Sequence, residues 1–252
     1  MRNFIFIIIS ILIPFQSFAI DGCGHDCKQC HKITETEARK ALQGQGDIKI
    51  TDIRMSPIKG LWQIMTLRDT TKEVYYLDFE KTNLMMGPVI DIKGKRDLTK
   101  VAIENATQIN IAEIKLKKTL LLGSNTASTI VYILTDPSCP ACAKLHTVLK
   151  QIVKKHSNIA FHIILFPLKG MKDSYARAKS INCTSSLKML EDSLEGKPIP
   201  PAACSSKDVD DNMAFGAKNG ISMTPTIIFQ NGKVHFGAEN VKNLLSLINA
   251  NL

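Results

Sequence analysis

With 252 residues, 44% of them hydrophobic, and a net charge of +9, the chain is long enough for two modest domains or one large one. Its Lys residues are spread along the chain rather than gathered among aromatics, so the basic balance reflects general solubility and nucleic acid is not expected as a partner. Beyond the N-terminus no stretch is long and apolar enough for a bilayer span, which needs about 20 residues.

Residues 1–19 have the composition of a cleavable signal peptide. Arg2 forms a short basic region, Phe4 to Ile13 an apolar one, and Ser17-Phe18-Ala19 an A-x-A-like cleavage site. We therefore expect an exported, periplasmic chain whose mature form begins near Ile20. Acylation at Cys23, as in a lipoprotein, is the alternative; Ile20 and Gly22 suit it and Asp21 opposes it. Export matters because disulfides persist in oxidising compartments, and the chain carries seven cysteines.

Three of them open the mature chain. Cys27-Lys28-Gln29-Cys30-His31 satisfies C-x-x-C-H, the attachment pattern of c-type haem, with Cys27 and Cys30 as the thiols and His31 as the proximal ligand. A local disulfide among Cys23, Cys27 and Cys30 is the competing expectation. Thr34-Glu35-Thr36-Glu37 is a capping box that opens a helix through Leu42, ending near Gly44. Strand patterns follow at 47–53, 61–67, 73–79 and 84–92, punctuated by Pro57, Gly60, Asn83, Gly87-Pro88 and Gly94. Such a small α+β unit exposes sheet edges, which a unit of this size commonly covers by pairing with a copy of itself. Trp62, the single tryptophan, is expected in its core. Residues 97–122 read as a connecting helix, with Val101, Ile109, Ile111, Ile114, Leu116 and Leu120-Leu121-Leu122 among charged residues, broken at Gly123-Ser124-Asn125. The expected division is a domain over 20–96, a linker helix over 97–124 and a second domain over 125–252.

The second domain starts with the β-branched run Ile130–Leu134, then Asp136-Pro137-Ser138-Cys139-Pro140-Ala141-Cys142, then a helical pattern from Ala141 to His156. A C-x-x-C pair on a strand-to-helix turn is a redox dithiol. Two intervening residues bring the sulfurs within reach of each other, and the first cysteine meets the free N–H groups of the helix N-terminus, which favour a thiolate. Pro140 fits the first helical turn, where its missing N–H costs nothing. Cys142 falls on the face of Leu145 and is expected to be the buried thiol, while His146 is expected to pack rather than tune the sulfur. A strand at 159–165, a helical insert, a hairpin around Asn231-Gly232 expected as a type I′ turn, and a helix over 239–249 complete a thioredoxin-like order. In that arrangement Pro225, after Thr224 at a strand start, is expected to be cis and to face the dithiol. Cys183 and Cys204 flank the Pro-rich part of the insert, and closing that loop would add about 3 kcal/mol as a staple.

Taken together, the segment Leu134–His146, Phe166-Pro167, Cys183, Gly196-Lys197, Pro201–Cys204, Gly220–Thr226 and Asn231-Gly232 strongly resemble the bacterial periplasmic DsbC/DsbG thiol:disulfide interchange family. The resemblance is specific from about 128 to 250 and looser from about 33 to 122. It implies a cystatin-like α+β dimerisation domain joined by a linker helix to an α/β thioredoxin-like domain with a helical insert. It further implies a homodimer acting on misfolded exported proteins with wrong disulfides, and a membrane reductase of the DsbD type that keeps the dithiol reduced. On the matching positions, Cys139 becomes the attacking thiol, Cys142 the resolving one, Thr224 and Pro225 the cis-proline loop, and Cys183–Cys204 the structural disulfide. No cofactor or metal is required by this chemistry. Two departures stand out: the N-terminal cysteine cluster, and the less common Pro140-Ala141 dipeptide. The rival expectations are a dedicated reductant or oxidase for one partner, as in cytochrome c maturation, a haem-bearing electron carrier, and a chaperone-like binding module.

Overall fold

The N-terminal sheet forms around two strands whose centres are apolar enough to be buried continuously. In the computed structural model, which describes residues 31–115 and 119–252, β2 (Leu61–Arg68) and β3 (Thr71–Asp78) form an antiparallel hairpin closed by Asp69-Thr70, with Asp69 at φ 53°. β1 (Lys49–Met55) and β4 (Leu84–Met86) flank them, giving the antiparallel order β1-β2-β3-β4, with a bulge in β1 between Ile50 and Asp52. The helix expected from the capping box is α1 (Glu35–Ala41), which buries Ala38. Trp62 is buried against Phe79 with ring centroids 5.3 Å apart, as its sequence context suggests.

A short ribbon, β5 (Ile90–Asp91) with β6 (Arg96–Asp97), leads into α2 (Leu98–Ala106), whose N-terminus Asp97 caps by accepting from the Lys100 N–H. Ala102 packs with Met65, Val74 and Tyr76 of the first sheet. From the same helix, the Glu104 carboxylate accepts the Phe236 N–H at 2.7 Å and faces His235 Nδ1 at 3.2 Å. The helix expected over 97–122 therefore stops at Ala106. A 3-10 turn at Ile111–Glu113 follows, and Leu120–Leu122 is a strand, β7. The leucine triplet alternates buried, half-buried, buried and pairs antiparallel with β9 at an otherwise open sheet edge. That edge pairing supplies hydrogen bonds an isolated last helical turn would lack, and it overrides the helical pattern.

The second sheet has the order β11-β10-β8-β9-β7, built on β8 (Thr129–Thr135), β9 (Ile159–Leu165), β10 (Thr226–Ile228) and β11 (Val234–Phe236). Only β8 and β9 run parallel, joined through α3 (Pro140–Lys155). β8 is a continuous hydrophobic run from Ile130 to Leu134 because both its faces are covered. Val131 and Ile133 meet Leu145, Leu149 and Ile152 of α3, and Leu244 and Ile248 of α7 (Val241–Asn249). Tyr132 and Leu134 face Ile109, Ile164, Phe166 and Phe236 on the other side. Each such fully buried aliphatic side chain contributes about 1.5–3 kcal/mol.

Between β9 and β10 lie α4 (Ser174–Thr184), α5 (Leu187–Leu194) and α6 (Asp208–Lys218). A disulfide between Cys183 and Cys204, with Cα atoms 5.6 Å apart, ties α4 to the loop before α6. Gly216 of α6 lies against the Phe166 ring, where a Cβ would overlap ring carbons, so the close approach requires glycine. The β10–β11 turn differs from the type I′ expectation. Gly232 alone of the Asn-Gly pair has positive φ, 80°; its N–H donates to the Phe229 carbonyl and the Phe229 N–H donates to Lys233. That makes a three-residue loop with glycine at the bulge, the next commonest hairpin closure.

Candidate active site

β8 ends at Thr135, and the chain turns through Asp136-Pro137-Ser138 into α3, with Cys139 as its N-cap and Pro140 at the first helical position. The Cys139 N–H donates to the Asp136 carbonyl at 3.1 Å, and Cys139 itself is half-buried. Its Sγ lies 3.8 Å from the Thr224 carbonyl oxygen. The Thr224-Pro225 peptide is cis, as expected from its place at the strand start, and Thr226 anchors the loop by donating its hydroxyl to the Met223 carbonyl at 2.7 Å. The structure thus brings Cys139, Cys142, Thr224 and Pro225 together, and shows Cys139 and Cys142 as free thiols.

Cys142 is buried, one turn into the helix, with its sulfur facing the Asp136 N–H at 3.4 Å. Burial pushes its thiol from the ordinary 9.0 up to about 12, the neighbouring Cys139 adding to the rise; the Thr135 hydroxyl, the Asp136 N–H and the otherwise unpartnered Thr224 hydroxyl pull the other way. Desolvation dominates because sulfur anions lose their water here. Cys142 is therefore expected to react slowly with external reagents. At pH 8, alkylation of Cys142 in the folded, reduced protein is expected to run about two to three orders of magnitude slower than in the urea-unfolded chain, as read by peptide mass spectrometry. The linked stability effect has a definite sign: the raised pKa leaves stability intact below about pH 9 and erodes it as pH climbs toward 12, since the unfolded chain releases a proton that the folded one keeps.

Sequence reasoning did not pick out the polar supports of the turn. The Asp136 carboxylate is fully buried and accepts from the Ser138 N–H, the Leu168 N–H and the Ser174 hydroxyl. Ser193 of α5 donates to the Pro137 carbonyl at 3.0 Å, and Arg177 donates to Ser193 at 3.0 Å. Only the position of Asp136 directly after the apolar strand carried a signal; Ser174 and Ser193 sit on ordinary helical stretches. A cleft of about 540 Å³ opens beside Cys139 between Pro140, Ala143, Lys172, Arg177 and Leu194. A larger cleft, about 790 Å³, lies between α2 and the β11–α7 side, where His235 bridges Glu104 and Glu239; it holds no part of the dithiol.

His146 packs as expected, its Nε2 3.3 Å from Glu191, which also pairs with Lys150 at 2.9 Å. Burial lowers its pKa, Glu191 opposing. Cys183 and Cys204 are joined, away from the dithiol. The haem-attachment expectation at Cys27, Cys30 and His31, and the lipoprotein alternative at Cys23, rest on cysteines outside the described residues, as does the signal peptide.

Two family models match this architecture. Residues 117–251 match the thioredoxin-like domain, and residues 31–100 match the disulfide bond isomerase protein N-terminal domain. The chain belongs to the DsbC family. Within it, the chain is 27% identical to the probable thiol:disulfide interchange protein DsbC of Bordetella avium over 186 residues, 73% of this chain and 63% of the relative. It is 26% identical to the thiol:disulfide interchange protein DsbC of Salmonella typhimurium over 212 residues, 83% of this chain and 85% of that protein. The disulfide interchange protein of Neisseria gonorrhoeae, a solved structure, is similar at 21% identity and a TM-score of 0.48, covering 55% of this DsbC-family chain and 98% of its own.

Proposed function

We propose that the chain is a periplasmic thiol:disulfide interchange enzyme that reduces and reshuffles wrong disulfides in exported proteins, with Cys139 as the attacking and Cys142 as the resolving thiol. The observation that carries this is the pairing of a half-buried thiol at a helix N-cap, beside the Thr224 carbonyl, with a second thiol buried beneath it. The Cys139 thiolate attacks one sulfur of the client disulfide; the S–S bond breaks, a mixed disulfide forms, and the other client sulfur leaves as a thiolate. In isomerisation a client thiolate attacks the client sulfur of the mixed disulfide and expels the Cys139 thiolate, with no net electron transfer. In reduction Cys142 attacks Cys139 Sγ, the client leaves reduced, and the enzyme is left with a Cys139–Cys142 disulfide. Returning it to the dithiol takes two electrons, for which a membrane reductase of the DsbD type is the fitting donor. These steps are written with the two thiols and the client disulfide alone and call on no cofactor. The test is rescue of a scrambled-disulfide substrate by the purified protein, together with the redox state of the dithiol in the cell.

The leader composition supports export, and among the described residues no helix is long and apolar enough to cross a membrane. A homodimer is supported by the free side of β4, an edge strand that with the following ribbon carries Met85, Met86, Ile90 and Ile92, the last 85% exposed. An open edge bordered by large apolar side chains is a pairing surface. Replacing Met86 and Ile92 together with Lys should halve the mass seen by analytical ultracentrifugation, with oxidised glutathione still reacting at the parent rate; an unchanged mass would remove this edge from the interface.

A further inference from the structure

Beside the dithiol, Asp136 is a buried titratable group that the interchange steps above leave without a task. It is fully buried, although it carries a carboxylate. A carboxylate removed from water is retained only where donors replace its hydration. Three do so, from three separate segments: the Ser138 N–H of the redox turn at 2.7 Å, the Leu168 N–H of the loop after β9 at 2.7 Å, and the Ser174 hydroxyl at the start of α4 at 2.5 Å. The peptide groups of the same residue reach both cysteines. Its N–H points at Cys142 Sγ, and its carbonyl accepts the Cys139 N–H.

We propose that Asp136 is a positioning residue for the second half of the reaction, holding the N–H that steadies the Cys142 sulfur as it becomes a nucleophile. This rests on the interchange reading of the site. Cys142 is the thiol that most needs such help, since burial disfavours its anion more than the Thr135 hydroxyl, the Asp136 N–H and the Thr224 hydroxyl together favour it. The main-chain N–H is useful only while the turn is fixed, and the carboxylate fixes it by tying the turn to the loop after β9 and to α4. Cys139 attacks from the half-buried end of the turn, with the Thr224 carbonyl rather than the carboxylate beside its sulfur, so the first step depends less on the clamp.

Asp136→Asn keeps an acceptor for Ser138 and Ser174 but places an amide N–H₂ against the Leu168 N–H, so one tie is lost. Ser174→Ala removes a different tie and leaves the carboxylate in place. Each reduced protein is mixed with oxidised glutathione, quenched with acid, and followed by intact mass. Attack appears as the glutathione adduct at Cys139, and resolution as its conversion to the internal disulfide. The expected result is attack within about twofold of the parent and resolution slowed about tenfold in Asp136→Asn, the scale of losing a hydrogen bond to a charged sulfur, with a smaller slowing in Ser174→Ala. A purely structural role would lower both steps by one factor. That outcome, or resolution at the parent rate in both variants, overturns the proposal; should Asp136→Asn not fold, Ser174→Ala decides by the same split. A parent protein that forms no glutathione adduct would instead overturn the interchange reading itself.

Discussion

Replacing Cys139 with Ser should reduce rescue of a scrambled-disulfide substrate to the uncatalysed background. A serine hydroxyl in this position is not ionised near neutral pH, and the cleft beside it, whose charged lining is Lys172, Asp173, Arg177 and Glu195, holds no histidine to activate it. Cys142→Ser is the informative partner. Attack by Cys139 is intact, so mixed disulfides with clients should accumulate and be seen as adducts on non-reducing gels, while resolution by client thiols sustains part of the isomerisation. Rescue by Cys139→Ser, or a Cys142→Ser protein free of adducts, would reverse or remove the roles assigned to the two sulfurs.

The second large effect is on stability. Converting Cys183 and Cys204 to Ala opens a loop whose ends are 21 residues apart, which costs about 3 kcal/mol through the entropy returned to the unfolded chain. For a chain of this size that is a drop of roughly 6–12 °C in Tm. The loss should not be confined to the insert, because α4 and α5 supply Ser174 and Ser193, which hold Asp136 and Pro137 of the redox turn. Calorimetry of the reduced double variant, followed by glutathione reactivity below its Tm, checks both parts; an unchanged Tm would show that the bridge adds nothing to net stability.

Much of this was legible in the chain because the signals were local. The strand at 159–165, the dithiol turn, the helix after it and Pro225 each carry their own punctuation, and the structure places them where the spacing suggests. What escaped was decided by partners distant in sequence. Leu120–Leu122 have a helix-compatible composition and become a strand only because β9 offers an edge. Asn231-Gly232 has the preferred type I′ dipeptide, yet the connection behind it intrudes: the Ile109 N–H bonds the Gly232 carbonyl, and a Cβ on Gly232 would overlap the Ile109 carbonyl. The supports of the dithiol were hidden for the same reason, since Ser174 and Ser193 lie 38 and 57 residues beyond Asp136 and look like any helical serine.

The strand added by Leu120–Leu122 has a practical bearing on dissecting the molecule. A fragment begun at Ser128, just before the strand that leads into the dithiol turn, would bare the outer edge of β9 along Phe161, His162 and Ile163, with Ile163 and Phe161 projecting into the core. Unpaired strand edges of that composition template aggregation. A soluble catalytic fragment therefore has to begin upstream of Thr119, carrying with it a stretch that contributes nothing to the chemistry and seals the sheet.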